Sequence, residues 1–541
     1  MLDWLFMTSR VHNQNRQFDS ILVGRIVRVS NRYLTNRFMN TESHRLTNVV
    51  SRFTNSTLLA LALVAGFSAS LNTAHSQSIT KVADMSWIVD INTGAGNGPD
   101  FPKGRMVLVG TNYWFLSEKG GVFGVGAILS FDPATSNIVQ IASLDNTGKT
   151  PYGSFTIADG KAWFTTTRGG VGDRGTLSYI DTNTLAAPTA VFGFPNNSDT
   201  NHASCGELPR STPLLIGNDL WLLSSQAGSN ALGAIVKFNI TNGVMSSISH
   251  FTGTNGGFPY GSLVQQGNAY YYTTHQGGTN SGSGFPNGAG TLGRVAFDGL
   301  GNPIVTKLID MPIGNTGFPD GNVCPVGSNY LFFTTTGNTA NPGSFIRYDI
   351  ANNTWTNLFS FSPANTVSRT NFGASPNAAT PIHVDGNLYF NTQNGGLSNR
   401  GVILKYNVAN NTLTKLADFS GAGASSLGGN PIYTSATYVN DPNNCKKIIY
   451  MLSSRGGANG LLGQGTLVSI NLFQPVLSVS SPTASTVEIT WGGGYPPFLV
   501  QSSTNIASTN WTTVTSGLMT NRLTLSATNA AKFFRVSSPC P

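Results

Sequence analysis

Charged residues, histidines and cysteines are scarce in this sequence of 541 residues. Only 10% of the residues are charged, and four histidines and three glutamates lie beyond residue 76. None of them belongs to an H-E-x-x-H, G-x-S-x-G, phosphate-loop or EF-hand pattern. The sequence therefore predicts no catalytic residue, no metal ligand and no cofactor site. The scarce residues are His202, His250, His275, His383, Glu118, Glu207 and Glu488.

An excess of one charge is also missing once the N-terminal segment is set apart. The net charge is +8, but residues 1–76 hold eight arginines against Asp3, Asp19 and Glu42. The remaining chain is nearly neutral and so has no electrostatic footprint for nucleic acid. Glycine is abundant, with 62 residues, as are Ser, Thr and Asn. This composition favours short strands joined by turns over helices.

The longest apolar run, LLALALVAGF at residues 58–67, is ten residues long. A bilayer span needs about 20 apolar residues, whereas a short run before a small-x-small site, here residues 74–76, is typical of a secretory signal peptide. We therefore expect cleavage before Gln77 and export to the extracellular space or the outer cell surface. A retained membrane anchor is the alternative. Because a signal peptide does not carry a long basic prelude, we expect the true start at Met39, with residues 1–38 as an extension.

All four cysteines lie beyond this expected cleavage point. Their spacings exceed 90 residues, which excludes a zinc knuckle and a C-x-x-C redox motif. In an exported protein they allow three disulfide pairings, and isolated buried thiols are the alternative. None follows the apolar run where a lipid-attached cysteine would lie. They are Cys205, Cys324, Cys445 and Cys540.

Internal repetition is the strongest feature of residues 77–473. Seven copies share an aromatic strand, a Thr/Ser-rich step, a glycine pair or its remnant, a loop and an alternating strand. Each unit of 49–61 residues has room for four short strands, named A to D in chain order, as in one blade of a β-propeller. Four copies enter strand A through nearly the same tetrapeptide, namely FPKG at Phe101, TPYG at Thr150, FPYG at Phe258 and FPDG at Phe318.

A missing strand predicts how the repeats close. After the seventh core, which ends near Leu472, no D strand follows, yet SITKVADM at residues 78–85 closely resembles the D strand LTKLADF at residues 413–419. An N-terminal strand that completes the last blade removes the exposed edges of an open array. The predicted fold class is therefore all-β, a seven-bladed β-propeller closed by an N-terminal strand. An open β-solenoid is the alternative.

An Asp or Asn recurs where strand C turns into strand D. The oxygen ligands around it are too few for a calcium loop, which alternates acidic residues. We expect these side chains to cap tight hairpin turns instead. They are Asp132, Asp181, Asn239, Asp298, Asp349 and Asn407.

The repeat unit resembles the GloVer tandem repeat of Gloeobacter and Verrucomicrobium proteins, whose copies read P-x-G-L, G-x-L-Y-G-T-T, G-G and G-T-V-F. Residues 385–392 (DGNLYFNT) with Gly395 and Gly396 are a close copy, and the resemblance covers about residues 79–473. The third and fifth copies depart from it, with Ala-Gly at residues 227–228 and Gly-Asn at residues 337–338. Because that family has no established activity, the resemblance implies an exported repeat protein and nothing catalytic.

Residues 474–541 follow a different pattern. Six short alternating runs are separated by turn residues: VLSVSS, VEITW, FLVQSS, WTTVTS, RLTLSA and KFFRVSS. With Trp491 and Trp511 as core aromatics, they fit a small β-sandwich of the immunoglobulin or fibronectin type III kind. The segment resembles the terminal modules of exported Verrucomicrobia-type proteins, which implies a spacer or attachment role.

The candidate site follows from the expected fold. In a propeller, the D to A linkers and the B to C loops emerge on one face, and function usually resides in loops carried by a rigid scaffold. Aromatic rings suit sugar stacking and arginines suit carboxylates. We therefore predict a binding surface, to which Phe258 and Phe318 also belong. The alternative is that the rings pack between blades and the cations lie in solvated turns. The predicted surface consists of Lys119, Tyr152, Arg168, Arg174, Tyr260, His275, Arg400 and Arg455.

The favoured function is an exported, monomeric, non-enzymatic protein that binds a cell-surface or environmental carbohydrate or another protein. A propeller-type polysaccharide lyase or hydrolase is an alternative, because distant blades meet at a central channel. Clustered Asp, His and Arg at the channel mouth would favour that enzyme. A structural component of the cell envelope is the third hypothesis.

Overall fold

A computed structural model describes most of the chain beyond residue 76. The described residues are 20–24, 77–85, 100–195, 205–282, 287–314, 316–337, 342–362, 367–441, 446–458, 464–472, 476–483, 485–492, 496–505, 510–526 and 532–538. The predicted signal segment, Met39, Cys445 and Cys540 lie outside them. Among the described residues, no helix has the length and apolar character that a bilayer crossing requires.

The repeats fold into antiparallel sheets, each with its strands A to D side by side. Strands β1 (Ser20–Gly24) and β2 (Ser78–Asp84) precede them. The first sheet holds β3 (Asp100–Val109), β4 (Asn112–Lys119), β5 (Ala127–Asp132) and β6 (Asn137–Ser143). In the second, strand A is split into β7 (Lys149–Pro151) and β8 (Thr156–Ala158), followed by β9 (Lys161–Arg168), β10 (Thr176–Asp181) and β11 (Thr189–Gly193). In the third, strand A is split into β12 (Glu207–Pro209) and β13 (Leu214–Ile216), followed by β14 (Asp219–Gln226), β15 (Ala234–Asn239) and β16 (Met245–His250).

The next four sheets repeat this order. The fourth holds β17 (Val264–Gln266), β18 (Ala269–Thr274), β19 (Thr291–Phe297) and β20 (Pro303–Asp310). The fifth holds β21 (Cys324–Val326), β22 (Tyr330–Thr335), β23 (Ser344–Asp349) and β24 (Thr354–Ser360). The sixth holds β25 (Ile382–Val384), β26 (Asn387–Asn391), β27 (Val402–Asn407) and β28 (Thr412–Asp418), preceded by the short helix α1 (Val367–Phe372). The seventh holds β29 (Thr437–Asp441), β30 (Lys446–Ser453), β31 (Thr466–Asn471) and β2.

Hydroxyl side chains explain the Thr/Ser-rich step before each glycine pair. At the end of β9, Thr166 Oγ1 donates to the Arg168 carbonyl at 2.9 Å and accepts the Thr176 N–H at 3.1 Å. One side chain thus holds the turn into the loop and the start of strand C. The same two contacts are made by Thr274, Thr392 and Ser453.

Strand β2 joins the seventh sheet beside β31, as the sequence predicts. Its Asp84 accepts the Lys81 ammonium and the Ala458 N–H of the glycine-pair loop. The same arrangement occurs at Lys307–Asp310 and Lys415–Asp418, whose carboxylates accept the N–H groups of Thr279 and Leu397. The resemblance between residues 78–85 and 413–419 therefore has a structural cause, because both segments cap the loop of their own sheet.

Apolar clusters lie between neighbouring sheets and also between the first sheet and the seventh. Phe115 and Phe131 of the first sheet pack with Tyr450 and Leu452 of the seventh and with Met85 beside β2. Burial of each large apolar side chain contributes roughly 1.5–3 kcal/mol. The sheets therefore follow one another in a closed ring, and the predicted all-β propeller is confirmed.

Among the described residues, those from Asn471 onward form a second compact unit, together with residues 20–24, 77–78, 440–441 and 446–447. All six predicted runs are strands, and Trp491 is buried in their core. Trp511 lies outside that core and contacts the Arg535 guanidinium 4.8 Å from its ring centroid, so its predicted core role is wrong. One sheet has the order β1-β37-β34-β35 and the other β32-β33-β36. The strands are β32 (Val476–Thr483), β33 (Thr486–Gly492), β34 (Phe498–Ser503), β35 (Thr512–Leu518), β36 (Arg522–Ser526) and β37 (Lys532–Ser537).

The structure also bears on the predicted turn caps and on two of the cysteines. Each predicted capping Asp or Asn accepts a backbone N–H from its own C to D turn. Cys205 and Cys324 form no disulfide with each other and are buried in different apolar clusters.

Candidate functional site

Seven inner segments carry the candidate site, one from each sheet. Each begins with a residue followed by proline, and that first residue has a left-handed backbone with φ between +46° and +59°. Such a conformation is unfavourable for a residue other than glycine. It is held by the preceding sheet, since the Thr150 N–H donates to the Val125 carbonyl and the Phe258 N–H to the Leu232 carbonyl, both at 2.8 Å. The inner segments are residues 101–105, 150–154, 208–212, 258–262, 318–322, 375–380 and 430–435.

All seven inner segments line one cavity of ≈ 40 Å³, which holds about three water molecules. Two sets of residues form its wall. The third residues of the segments, together with Tyr433, are called the mouth ring, and five of them line the cavity: Tyr152, Arg210, Tyr260, Asp320 and Tyr433. The polar residues at the ends of the segments are called the belt: Ser154, Thr212, Ser262, Asn322, Thr380 and Ser435.

Cations and aromatic rings alternate around the mouth ring. The Arg210 guanidinium lies 5.0 Å from the Tyr152 ring centroid and 4.2 Å from that of Tyr260. Tyr260 stacks in turn on His275 at 4.7 Å, and His275 stacks on Phe318 at 4.6 Å. Such cation–π contacts contribute about 0.5–2 kcal/mol each, more when water is excluded. The stack fixes the ring planes and fills both faces of Tyr260.

Lys103 is buried in the mouth ring and has a charged partner. Its ammonium lies 3.0 Å from a Glu118 carboxylate oxygen, and the rings of Tyr152 and Tyr433 lie 4.8 and 5.2 Å away. Burial lowers the pKa of Lys103, and Glu118 opposes that shift. The Tyr152 hydroxyl also donates to Glu118, at 3.4 Å. Lys103 and Glu118 therefore satisfy each other and leave little charge for a ligand.

Arg210 has no such partner. Among the described residues it forms no ion pair, its one hydrogen bond is a long contact of 3.4 Å to the Tyr433 hydroxyl, and its Nε is buried without an acceptor. Two tyrosine rings lie against the guanidinium, but its N–H donors lie in the plane of the group and stay available. Burial raises the pKa of Tyr433 well above its ordinary value, so this hydroxyl stays neutral. Arg210 is therefore a cation that faces the cavity and lacks an anion.

His275 and Asp320 form a hydrogen-bonded pair beside Tyr260. His275 Nδ1 contacts Asp320 Oδ1, and the Thr336 hydroxyl donates to the other carboxylate oxygen at 2.7 Å. Asp320 is buried, whereas His275 is partly exposed. An imidazole that donates from Nδ1 to a carboxylate presents the Nε2 lone pair. No described residue bonds Nε2, so it is open to a ligand.

Five of the eight predicted binding residues belong to this arrangement. Tyr152, Tyr260 and His275 are part of the stack described above. Lys119 and Arg455 lie 4.9 and 4.8 Å from the ring centroid of Phe101, the first residue of the first inner segment. Burial raises the pKa of the nearby Asp100, and the charges of Lys119 and Arg455 oppose that shift.

The other three predicted cations have local partners instead. Arg168 pairs with Asp173, Arg174 with the buried Glu207, and Arg400 donates to Asn430 at 2.9 Å. These contacts hold loops and inner segments, which leaves these side chains less available than Arg210. Sequence reasoning also missed members of the site that lie at the third segment position or pack beside it. The available signal was the proline of each segment, because the residue after it lines the cavity in four of the seven segments. The missed residues are Lys103, Glu118, Arg210, Asp320 and Tyr433.

Among the described residues, no group of three or more His, Cys, Asp or Glu side chains is arranged to hold a metal ion. No family model matches the chain, and no curated protein matches it. The resemblance to the GloVer repeat therefore stays a prediction.

Several solved structures are similar to the chain. TolB from Acinetobacter baumannii has 12% identity and a TM-score of 0.31, with 68% of this chain and 79% of that chain covered. An oligogalacturonate lyase from Vibrio parahaemolyticus has 11% identity and a TM-score of 0.39, with coverages of 73% and 94%. A hypothetical selenium-binding protein from Sulfolobus tokodaii has 9% identity and a TM-score of 0.38, with coverages of 63% and 79%. At these values the likeness carries no statement about function.

Proposed function

We propose that the mouth ring binds a small acidic ligand, a sugar acid in the first instance, and that Arg210 holds its carboxylate. The observation that carries this proposal is the Arg210 guanidinium, which faces the cavity and has no anionic partner in the described part of the chain. An arginine binds a carboxylate through paired in-plane N–H groups, which the stacking leaves open. The proposal keeps the exported location that the signal segment predicts.

The geometry changes the expected mode of recognition. Arg210 and His275 occupy the two faces of Tyr260, so that ring is closed to sugar stacking. The groups left for a ligand are edges: the N–H donors of Arg210, the Nε2 atom of His275 and the tyrosine hydroxyls. Such a set suits a ligand with one acidic group and several hydroxyls rather than a neutral polysaccharide chain.

Calorimetric titration of the full chain tests the proposal. Glucuronate and galacturonate should bind, and glucose and galactose should bind at least tenfold more weakly. Arg210→Gln should remove most of the affinity, because a charge-assisted hydrogen bond contributes about 1.5–3 kcal/mol. Arg174→Gln is the matched control, since Arg174 already pairs with Glu207. Equal binding of acids and neutral sugars, or an unchanged affinity in Arg210→Gln, would contradict the proposal.

A second candidate is an enzyme, because Asp, His and Arg cluster at the mouth ring. A hydrolase that needs two available carboxylates is not supported, since Glu118 pairs with Lys103 and Asp320 with His275 and Thr336. Elimination fits better. His275 Nε2 would take the proton next to the carboxylate held by Arg210, the β carbon–oxygen bond would break, and the leaving oxygen would be protonated from water.

An ultraviolet assay for the unsaturated product of a uronic acid polymer tests this candidate. His275→Asn should abolish product formation while His250→Asn retains it, because His250 lies on β16, away from the mouth ring. If intact protein binds the polymer but forms no unsaturated product, the binding function stands and the enzyme does not.

A further inference from the structure

The belt joins consecutive sheets by hydrogen bonds around the cavity. The backbone N–H of Ser154 donates to the Thr212 hydroxyl at 2.8 Å, and the N–H of Thr212 donates to the Ser262 hydroxyl at 2.8 Å. The series continues to the Asn322 side-chain oxygen and from Asn322 to the Thr380 hydroxyl. Between the seventh and first sheets, the Ser435 N–H donates to the Gly104 carbonyl at 2.9 Å. The belt thus passes through all seven sheets.

Four hydroxyls of the belt each accept a backbone N–H and keep their own proton, namely those of Ser154, Thr212, Ser262 and Thr380. The Arg105 N–H fills the acceptor site of Ser154 in the same way, at 2.7 Å. Within the described residues, no acceptor receives the hydroxyl protons of Ser154, Thr212, Ser262 or Thr380, or the amide protons of Asn322. Ser154 and Ser262 are buried, and buried polar hydrogens find a partner as a rule. All of these side chains line the cavity, so their donors have that space in which to find one.

A buried donor of the charged Arg210 side chain also lies at the cavity wall. The Arg210 Nε is buried without an acceptor and belongs to a side chain on the cavity wall. Asp320 is the one carboxylate on this wall, and both of its oxygens are engaged, by His275 and by Thr336. A bound cation would leave the hydroxyl and amide protons and the Arg210 Nε without partners. An acceptor of negative charge would satisfy them together.

We infer that the belt and the Arg210 Nε form a binding site for one small inorganic anion, a halide in size. A cavity of ≈ 40 Å³ has room for a monatomic anion. The ligands are side chains of different sheets, so a bound anion ties the ring together at its centre. The inference goes beyond the proposed binding of a sugar acid: it shares Arg210 with that proposal, but its other donors belong to the belt and not to the mouth ring.

Bromide is the probe, since its anomalous scattering identifies it in crystals of the full chain. We expect an anomalous peak in the cavity within hydrogen-bonding distance of belt side chains. We also expect the Tm of the protein to rise saturably with chloride or bromide, but not with methanesulfonate at the same ionic strength. Wild-type crystals with no peak, a peak from rubidium instead, or a Tm that is the same in all three salts would overturn the inference.

Asn322→Asp provides the matched variant. Aspartate keeps the oxygen that accepts the Ser262 N–H, but it removes the amide donors and adds a negative charge. Halide affinity measured from the Tm series should fall at least tenfold. Asn239→Asp is the control, because the equivalent turn residue is already aspartate at Asp132, Asp181 and Asp298. An Asn322→Asp protein that binds halide as tightly as the control would contradict the assigned ligands, and the bromide experiment on wild type stands even if this variant does not fold.

Discussion

The third and last positions of the inner segments lie close together in the chain but differ in what the seven copies place there. The last position holds Ser, Thr or Asn in six copies, and each forms the same kind of bond between sheets or faces the same cavity. The third position holds Lys, Tyr, Arg, Tyr, Asp, Asn and Ile in turn. Residues that close the ring are therefore repeated, whereas residues of the mouth ring differ from copy to copy. Variation inside a repeat is the better guide to its site.

The largest loss of stability should come from a substitution at Gly104, which lies between the third and the last position of the first inner segment. A Cβ atom on Gly104, which has φ +66°, would lie 2.5 Å from the Gly153 carbonyl oxygen and the Ser154 hydroxyl. Gly104→Ala should therefore lower the free energy of unfolding by about 3 kcal/mol, from overpacking and a strained backbone together. Gly110→Ala is the control, with φ +62° and no atom within 4 Å, and should cost about 1 kcal/mol. Equal losses in urea unfolding would show that the sheets do not need this approach.

A belt substitution should have the next largest effect. Ser262→Ala removes the acceptor of the Thr212 N–H and should lower the free energy of unfolding by about 1–3 kcal/mol. Ser262→Thr should stay close to wild type, because threonine occupies the corresponding position at Thr212 and Thr380. Thermal or urea unfolding measures both variants. If the alanine variant matches wild type, the belt does not hold neighbouring sheets together.

A mouth-ring substitution should affect ligand binding more than stability, unlike a belt substitution. Arg210→Met removes a buried donor that has no acceptor as well as two cation–π contacts, so the free energy of unfolding should change by less than about 1 kcal/mol or rise. Binding of sugar acids should nevertheless be lost. A loss of more than about 2 kcal/mol of stability would place Arg210 among the residues that close the ring and would remove the contrast.

The smallest effect on stability should come from His250, which lies on the D strand β16. The Ser229 N–H donates to His250 Nδ1 at 3.3 Å. At the equivalent position in two other copies, Asp310 and Asp418 accept the corresponding backbone N–H. Burial lowers the pKa of His250 below its ordinary value of 6.5, so its stabilising contribution is present above that pH and is lost as the pH falls below it. His250→Asp should reduce this acid sensitivity by about 1 kcal/mol at most. His383, whose pKa is also lowered, is unchanged in both proteins and cancels in the comparison. An identical pH profile of Tm in the two proteins would count against the assignment.

The sequence predicts the parts of the fold that repeat. Strand order, capping turns and the pairing of β2 could be predicted because the copies resemble one another and fold into sheets with the same strand order. The third inner segment, which begins Leu208-Pro209-Arg210, lacks the glycine of the tetrapeptide and so escaped notice. For this reason the sequence did not predict Arg210, the cation on which the proposed function depends.

The choice of partner could not be predicted for the loop cations. Arg174 and Arg210 each precede a small residue in the sequence, Gly175 and Ser211, but one lies within 3.2 Å of Glu207 and the other has no carboxylate partner among the described residues. That difference depends on where the loop that ends at Gly175 meets β12, which no local pattern encodes. Charge and residue type therefore select candidate cations, and only the three-dimensional arrangement separates the cations that have a carboxylate partner from those that have none among the described residues.

The pairing of β2 with β31 has a consequence for synthesis. Thr80 and Ser469, which bond at 2.9 Å, are 389 residues apart in the chain. At about 5–20 residues per second, a ribosome needs roughly 20–80 s between making the first partner and the second. Throughout that interval, the earliest strand of the propeller has no partner strand with which to pair. The order of manufacture thus exposes this protein to edge-to-edge aggregation until its final core emerges.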